Sequence, residues 1–154
     1  MHNENGFSLI EILVSIFLLS IGLLGAANLQ IKSLQLSQSA YLRTQATILA
    51  YDIADRMRSN PEGVKNNHYL QSAATFNTCI SPTGCSAKKM ARHDLQDWQQ
   101  NVARILPDGS GVLCIDSTPS SPACDHSGSA YSIRINWIDD RSGRHQSYLT
   151  AVEF

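Results

Sequence analysis

The sequence predicts an α+β protein, a long N-terminal helix packed on a small antiparallel sheet. Three observations carry that class. Residues 7 to 27 are almost wholly apolar, a helical pattern continues from there to Asn60-Pro61, and the last 45 or so residues alternate in the manner of strands. With 154 residues, the chain suits one small domain and an appendage. The net charge of −1 offers no electrostatic case for nucleic acid or an anionic membrane as the main partner.

The apolar run Phe7 to Ala27 contains one charged residue, Glu11. At about 1.5 Å per residue it spans a hydrocarbon core of roughly 30 Å. Gly25-Ala26-Ala27 also offers small residues of the kind a signal peptidase cuts after, which makes a secreted domain beginning at Asn28 one alternative. Two features oppose it. No Lys or Arg precedes the run, and the helical pattern does not stop at Ala27. Ile31, Leu42, Ala46, Leu49, Ile53 and Met57 fall on one side of a helix that reaches about residue 59, where proline ends it. The first half of this helix is apolar all round; the second is amphipathic and needs a surface to cover it.

A plain anchor does not explain where the other residues sit. Ser8, Glu11, Ser15, Gly22 and Ala26 share one narrow face, and the stripe continues through Ser33, Ala40 and Thr44. Small residues let helices approach closely in lipid. An intramembrane carboxylate costs about 2.5–3.5 kcal/mol and needs a cation. None lies between residues 7 and 31, and Lys32 is the nearest downstream. The partner must come from another chain or from processing of this one.

The stretch G-F-S-L-I-E at 6 to 11 resembles the type IV prepilin signature. The resemblance implies cleavage between Gly6 and Phe7 by a membrane prepilin peptidase, N-methylation of Phe7, and Glu11 as the fifth residue of the mature chain. Cleavage creates an amine that Glu11 can neutralise, on a neighbouring subunit or on its own chain. A carboxylate in the first turn also suits the helix dipole. The leader MHNEN carries no Lys or Arg, so the positive-inside rule does not set the orientation. An N-in topology follows from the resemblance and from the cysteines, which favour the oxidising side.

Residues 61 to 86 read as a loop. Ser86 caps a helix through AKKMARHDLQDWQQNVARI, with Ala91, Leu95, Trp98, Val102 and Ile105 inward and Arg92, Asp94, Gln96 and Gln100 outward. Pro107-Asp108-Gly109 stops it. GVLCID, SAYSIRINWID and HQSYLTAVEF are the strands, with Tyr131, Ile133, Ile135 and Trp137 on one face. Four cysteines allow three pairings. Cys79–Cys85 and Cys114–Cys124 are favoured, because each closes a short loop rich in Ser, Pro or Gly. No C-x2-C pair points to zinc, and the five histidines are scattered.

DIADRMRSNPEG at 52 to 63, the paired cysteines, D-L-Q-D-W ahead of LPDGSG, and YSIRINW extend the resemblance to minor pilins of the PilV type. The implied fold is the type IV pilin-like lollipop: leader 1–6, transmembrane and assembly half-helix 7–27, amphipathic half-helix 28–59 and a disulfide-bonded head 60–154. The implied function is a low-abundance pilus subunit. It joins other minor pilins and a tip adhesin in the complex that primes assembly, supporting pilus biogenesis, adhesion and twitching motility. It would reside in the bacterial inner membrane, head in the periplasm, before moving to the pilus tip. The near alternative is the I-type minor pseudopilin of type II secretion.

No enzyme is expected. There is no G-x-S-x-G elbow and no phosphate-cradling glycine loop. Asp139-Asp140 beside Gly143 lacks EF-hand spacing and reads as an acidic turn. No metal, cofactor or nucleic acid partner is expected. Trp98 and Trp137 read as core residues, and Lys88, Lys89 and Arg92 as a solvated helix face. Mass spectrometry of the mature protein tests the processing site. The expected N-terminus is methylated Phe7, whereas a chain starting at Asn28 or keeping Met1 removes the assignment.

Overall fold

A computed structural model describes residues 8–82, 84–118, 124–139 and 143–154. The chain forms two compact units, Met1–Ala40 and Tyr41–Phe154. Helix α1, Leu9–Ser59, is continuous through both. After it come the short helix α2 (Pro61–Lys65), two 3-10 turns (His68–Leu70 and Asn77–Ile80), and helix α3 (Ala87–Ile105). Strands β1 (Ser110–Ile115), β2 (Tyr131–Ile138) and β3 (His145–Val152) end the order. The α+β class expected from the sequence holds.

In the first unit the apolar side chains of α1 are exposed all round, from Leu9 to Leu36. Ile31, placed on the inward stripe by periodicity, is 53% exposed. The rest of that stripe, Leu42, Ala46, Leu49, Ile53 and Met57, is buried in the second unit. The periodicity is real but is used only where a head exists to receive it.

Proline ends α1 and at once begins another helix. Asn60 breaks the backbone, its Oδ1 accepts from Gly63 N at 3.1 Å, and Pro61 occupies the first turn of α2. A proline costs nothing there, since that N–H would have no helical partner. The segment expected as a loop over 61 to 86 therefore contains three short helical elements. They are too brief to leave a periodic signature.

Ser86 caps α3 as expected, accepting from Lys89 N at 3.5 Å. Asp108, at φ 51°, turns the chain out of the helix toward β1. Two assignments on α3 change, one inward and one outward. Ile105 is 37% exposed while Leu106, just past the helix, is 1% exposed. The turn rotates the chain so that the next residue takes the core position. Asp94, expected outside, is buried. Lys89 and Arg92 are also more engaged than a solvated face. Both lie over the Phe76 ring, at 5.8 and 5.4 Å, and Arg92 Nε donates to Ser72 O at 2.8 Å.

The sheet runs β1-β2-β3, antiparallel throughout. Tyr131, Ile133, Ile135 and Trp137 of β2 face the core with the α1 and α3 stripes. The opposite face of β2 is closed too: Ser132 is fully buried, and Arg134 pairs with the fully buried Asp116 that follows β1. Cys79 is joined to Cys85 and Cys114 to Cys124. Short loops of this size contribute roughly 2–3 kcal/mol each in the chain-entropy picture.

Trp98 sits where the elements meet. It is fully buried, and its Nε1–H donates to Leu49 O of α1 at 2.8 Å. A Cβ on Gly111 of β1 would lie 2.5 Å from the Trp98 ring, so glycine is what allows that approach. Trp98→Ala should cost about 3–5 kcal/mol, and Trp98→Phe, which removes only the donor and some ring, about 1–3 kcal/mol. Urea denaturation of the detergent-solubilised chain followed by circular dichroism checks both values and their order.

Candidate functional site

The first unit presents the assembly candidates. Gly6 and Phe7 lie outside the described residues. Glu11 lies in the first turn of α1, where Ser8 O accepts from Glu11 N at 3.0 Å and from Ile12 N at 3.3 Å. Its side chain is exposed, and among the described residues no cation pairs with it. The hydroxyls nearby are satisfied within the helix. Ser15 Oγ donates to Glu11 O and Ser20 Oγ to Ile16 O, each at 2.8 Å. Hydroxyls turned onto their own backbone make little polar demand on an apolar surround.

Gly22 and Gly25 have open space where a Cβ would be. Nothing inside the chain requires them, although each costs a helix about 1 kcal/mol relative to alanine. They are therefore available for close approach from outside. Among the described residues, α1 is the one helix long and apolar enough to cross a membrane. That segment thus combines an exposed apolar surface, a close-approach face and one carboxylate that meets no cation among the described residues.

The second unit contains a polar cluster that sequence reasoning missed. Arg56 of α1 reaches Asp52 (Nε to Oδ2, 3.1 Å), Asp97 (Nη2 to Oδ2, 2.8 Å) and Asp94 (Nη1 to Oδ1, 3.7 Å). Tyr69 of the first 3-10 turn donates its hydroxyl to Asp94 Oδ2 at 2.9 Å. Asn60 Nδ2 donates to Ala87 O at 2.9 Å and, more weakly, to the Tyr69 hydroxyl at 3.4 Å. The cluster joins the end of α1, the connecting segment and α3.

Burial raises the Asp94 carboxyl above its ordinary value, with the Tyr69 hydroxyl and the Arg56 charge pulling against it. Burial, together with the Asp94 charge, also raises Tyr69 far above the usual phenol range, so it stays a donor. Arg56 is held charged because Asp52 and Asp97 outweigh the opposing effect of burial. The available signal was D-I-A-D-R at 52 to 56, whose Asp52 and Arg56 sit four apart on one helix face. The partners on α3 lie about 40 residues away, beyond any local pattern.

Cys114, Asp116 and Cys124 lie close enough together to resemble a metal site. The two sulfurs are bonded to each other and Asp116 is paired with Arg134, so the arrangement is structural. Asp140 of the acidic turn lies outside the described residues.

Residues 1–27 match the family model of the prokaryotic N-terminal methylation motif, and residues 28–96 match that of the type IV pilin Tt1218. Over these two segments the chain is similar to prepilins. No curated protein and no solved structure matched. For a prepilin-like chain, the motif and the family imply processing by a prepilin peptidase and assembly with other pilins. The apolar helix fits membrane anchoring before that assembly, and the pilin family is structural rather than enzymatic. The pilin match contains every member of the Arg56 cluster, from Asp52 to Asp94, except Asp97.

A pH test separates the parts of this cluster. The folded-state value of Asp94 lies above its unfolded value, so the folded protein holds more protons between them. The contribution of this group to stability therefore grows as pH falls through that window and declines as pH rises. Tyr69→Phe removes a bond to the ionised carboxylate. It should destabilise by about 1–3 kcal/mol at neutral pH, with a smaller deficit once Asp94 is protonated. Thermal melts across pH 3 to 8 on a common detergent background report the difference (about five pH units suffice to cover both states of a carboxyl).

Proposed function

We propose that this prepilin-like chain is a minor pilin of the PilV type, a subunit of the complex that primes type IV pilus assembly and remains at its tip. In this reading the leader ends at Gly6, Phe7 is the methylated N-terminus, and Glu11 is the intermolecular charge partner. Before assembly the chain is anchored in the inner membrane with residues 60–154 in the periplasm. After assembly it belongs to the pilus and contributes to adhesion and twitching motility with other minor pilins and an adhesin.

The observation that carries the reading is the state of Glu11. It is the only ionisable side chain from Ser8 to Ile31, it is exposed, and no described cation meets it. A carboxylate in lipid without a counter-charge is costly. A processed N-terminal amine supplies that charge at the right end of the helix. The intramolecular disulfides and the resemblance of DIADRMRSNPEG and YSIRINW add support for the pilus over the secretion pseudopilin.

Glu11→Val tests the assignment in cells. The variant should insert in membrane and keep both disulfides, because Glu11 lies in the first unit and all four cysteines in the second. Its co-purification with other pilins should fall by about tenfold or more, the loss expected from an uncompensated pair of 1.4 kcal/mol or greater in a low-dielectric setting. Undiminished co-purification removes the charge-partner role. Recovery chiefly with secretion pseudopilins transfers the chain to that apparatus.

A further inference from the structure

Between the first 3-10 turn and the second, the connecting segment lies against one short section of α3. Ala73 packs against the core, and the Cys79–Cys85 bridge closes the loop that follows. Between those two anchors the chain is held by Lys89, Arg92 and His93. Ala74 N donates to Arg92 O at 3.0 Å, and Arg92 Nε to Ser72 O at 2.8 Å. The Phe76 ring lies under the Lys89 and Arg92 cations, and Phe76 N donates to His93 Nδ1 at 3.2 Å.

The last of these bonds depends on protonation. A backbone N–H can only donate, so Nδ1 of His93 presents a lone pair and the ring is neutral. A proton at Nδ1 would set two donors face to face. It would also add a third cation beside the two that already lie over Phe76.

The charges around the imidazole divide by sign. Lys89, one turn before His93 on α3, and its neighbour Arg92 oppose a positive ring. Asp94, which feels the His93 charge, and Asp97, one turn after it, favour one. Both carboxylates are already engaged by other elements, Asp94 by Tyr69 and by Arg56 of α1, and Asp97 by Arg56. Residues 72–76 carry no acid or base, and strand β1 brings none to α3. Helix α2 contributes one charge of each sign, Glu62 and Lys65. His68 of the first 3-10 turn bonds Gln71 at 3.3 Å.

We propose that residues 74–76 form a latch on α3 that closes on neutral His93 and opens when His93 is protonated. Imidazole is the side chain whose charge ordinarily changes between about pH 5 and 8, so the latch responds to mild acid. Opening takes up a proton, so it is favoured as pH falls and reversed as pH rises. It uncovers the Phe76 ring and the Lys89–Arg92 surface against which the ring lies. Tyr69 on one side and the Cys79–Cys85 bridge on the other stay in place, so the second unit keeps its fold. The latch lies wholly in that unit and works the same way whatever the chain assembles into.

Hydrogen exchange of the full chain in detergent tests it, each rate being divided by that of an unstructured peptide at the same pH. Protection of the Phe76 amide should fall about tenfold between about pH 7.5 and about pH 5.5, the effect of one lost bond with its donor left unpaired. Amides of the Leu42–Met57 stretch should keep theirs. His93→Asn places an oxygen where Nδ1 stands and takes up no proton, so Phe76 should stay protected at both pH values. His93→Leu removes the acceptor and should show the low protection at both. His68→Asn should leave the pH response intact. A wild-type Phe76 amide equally protected at both pH values overturns the proposal. An undiminished fall in His93→Asn also overturns it, by moving the proton to another group, as does full protection in His93→Leu.

Discussion

The contact between the Trp98 indole and the Leu49 carbonyl holds the second unit in register. An α-helical carbonyl in mid-helix already accepts from its own ladder, and here it also takes a buried N–H from α3. The bond fixes the position of α3 along α1, while the ring itself fills the space over Gly111 of β1. Three elements distant in sequence thus meet on one side chain. The apolar stripe Leu42 to Met57 provides much of the burial, but burial is non-directional. Directional contacts such as this one select a single arrangement among the many that hide the same area.

The Arg56 cluster does comparable work along α3 from Ala87 to Asp97. Tyr69, Asn60 and Asp94 are buried but Arg56, Asp52 and Asp97 are only partly so, and the worth of the cluster lies in geometry as much as in energy. Arg56 binds carboxylates from its own helix and from α3, Tyr69 bridges to the connecting segment, and Asn60 ties the α1 terminus to the α3 start. The connecting segment lacks long regular structure, and these bonds replace it. Phe76, gripped by Lys89 and Arg92, and the Cys79–Cys85 bridge complete the attachment.

Local periodicity made α1, α3 and β2 legible from sequence, because each presents its apolar residues at the spacing its backbone demands. Leu42 to Met57 repeat at helical intervals and Tyr131 to Trp137 at intervals of two. The same reasoning placed Asp94 outside, since polarity is the only clue when a partner lies on another element. It also missed that β2 is closed on both faces, because Arg134 becomes a buried residue only through Asp116, 18 positions earlier. The 3-10 turns were invisible for a different reason: three or four residues hold too little pattern. The Glu11 face was legible because lipid makes a charge conspicuous. The other half of its proposed pairing, the Phe7 amine, exists only after processing.

The break at Asn60 has a mechanical consequence. Helix α1 runs unbroken for 51 residues and ends inside the core of the second unit. A load along the part of α1 that lies in the second unit is carried by its hydrogen-bond ladder over the embedded stretch from Leu42 to Met57. There the load falls on many side-chain contacts together, in shear, rather than on one contact at a time. Peeling this stretch from its Asn60 end would first have to break the cap, the Arg56 cluster and the Tyr69 bonds. The helix that takes such a load also provides the apolar stripe that forms much of this core, so the load meets many buried contacts together.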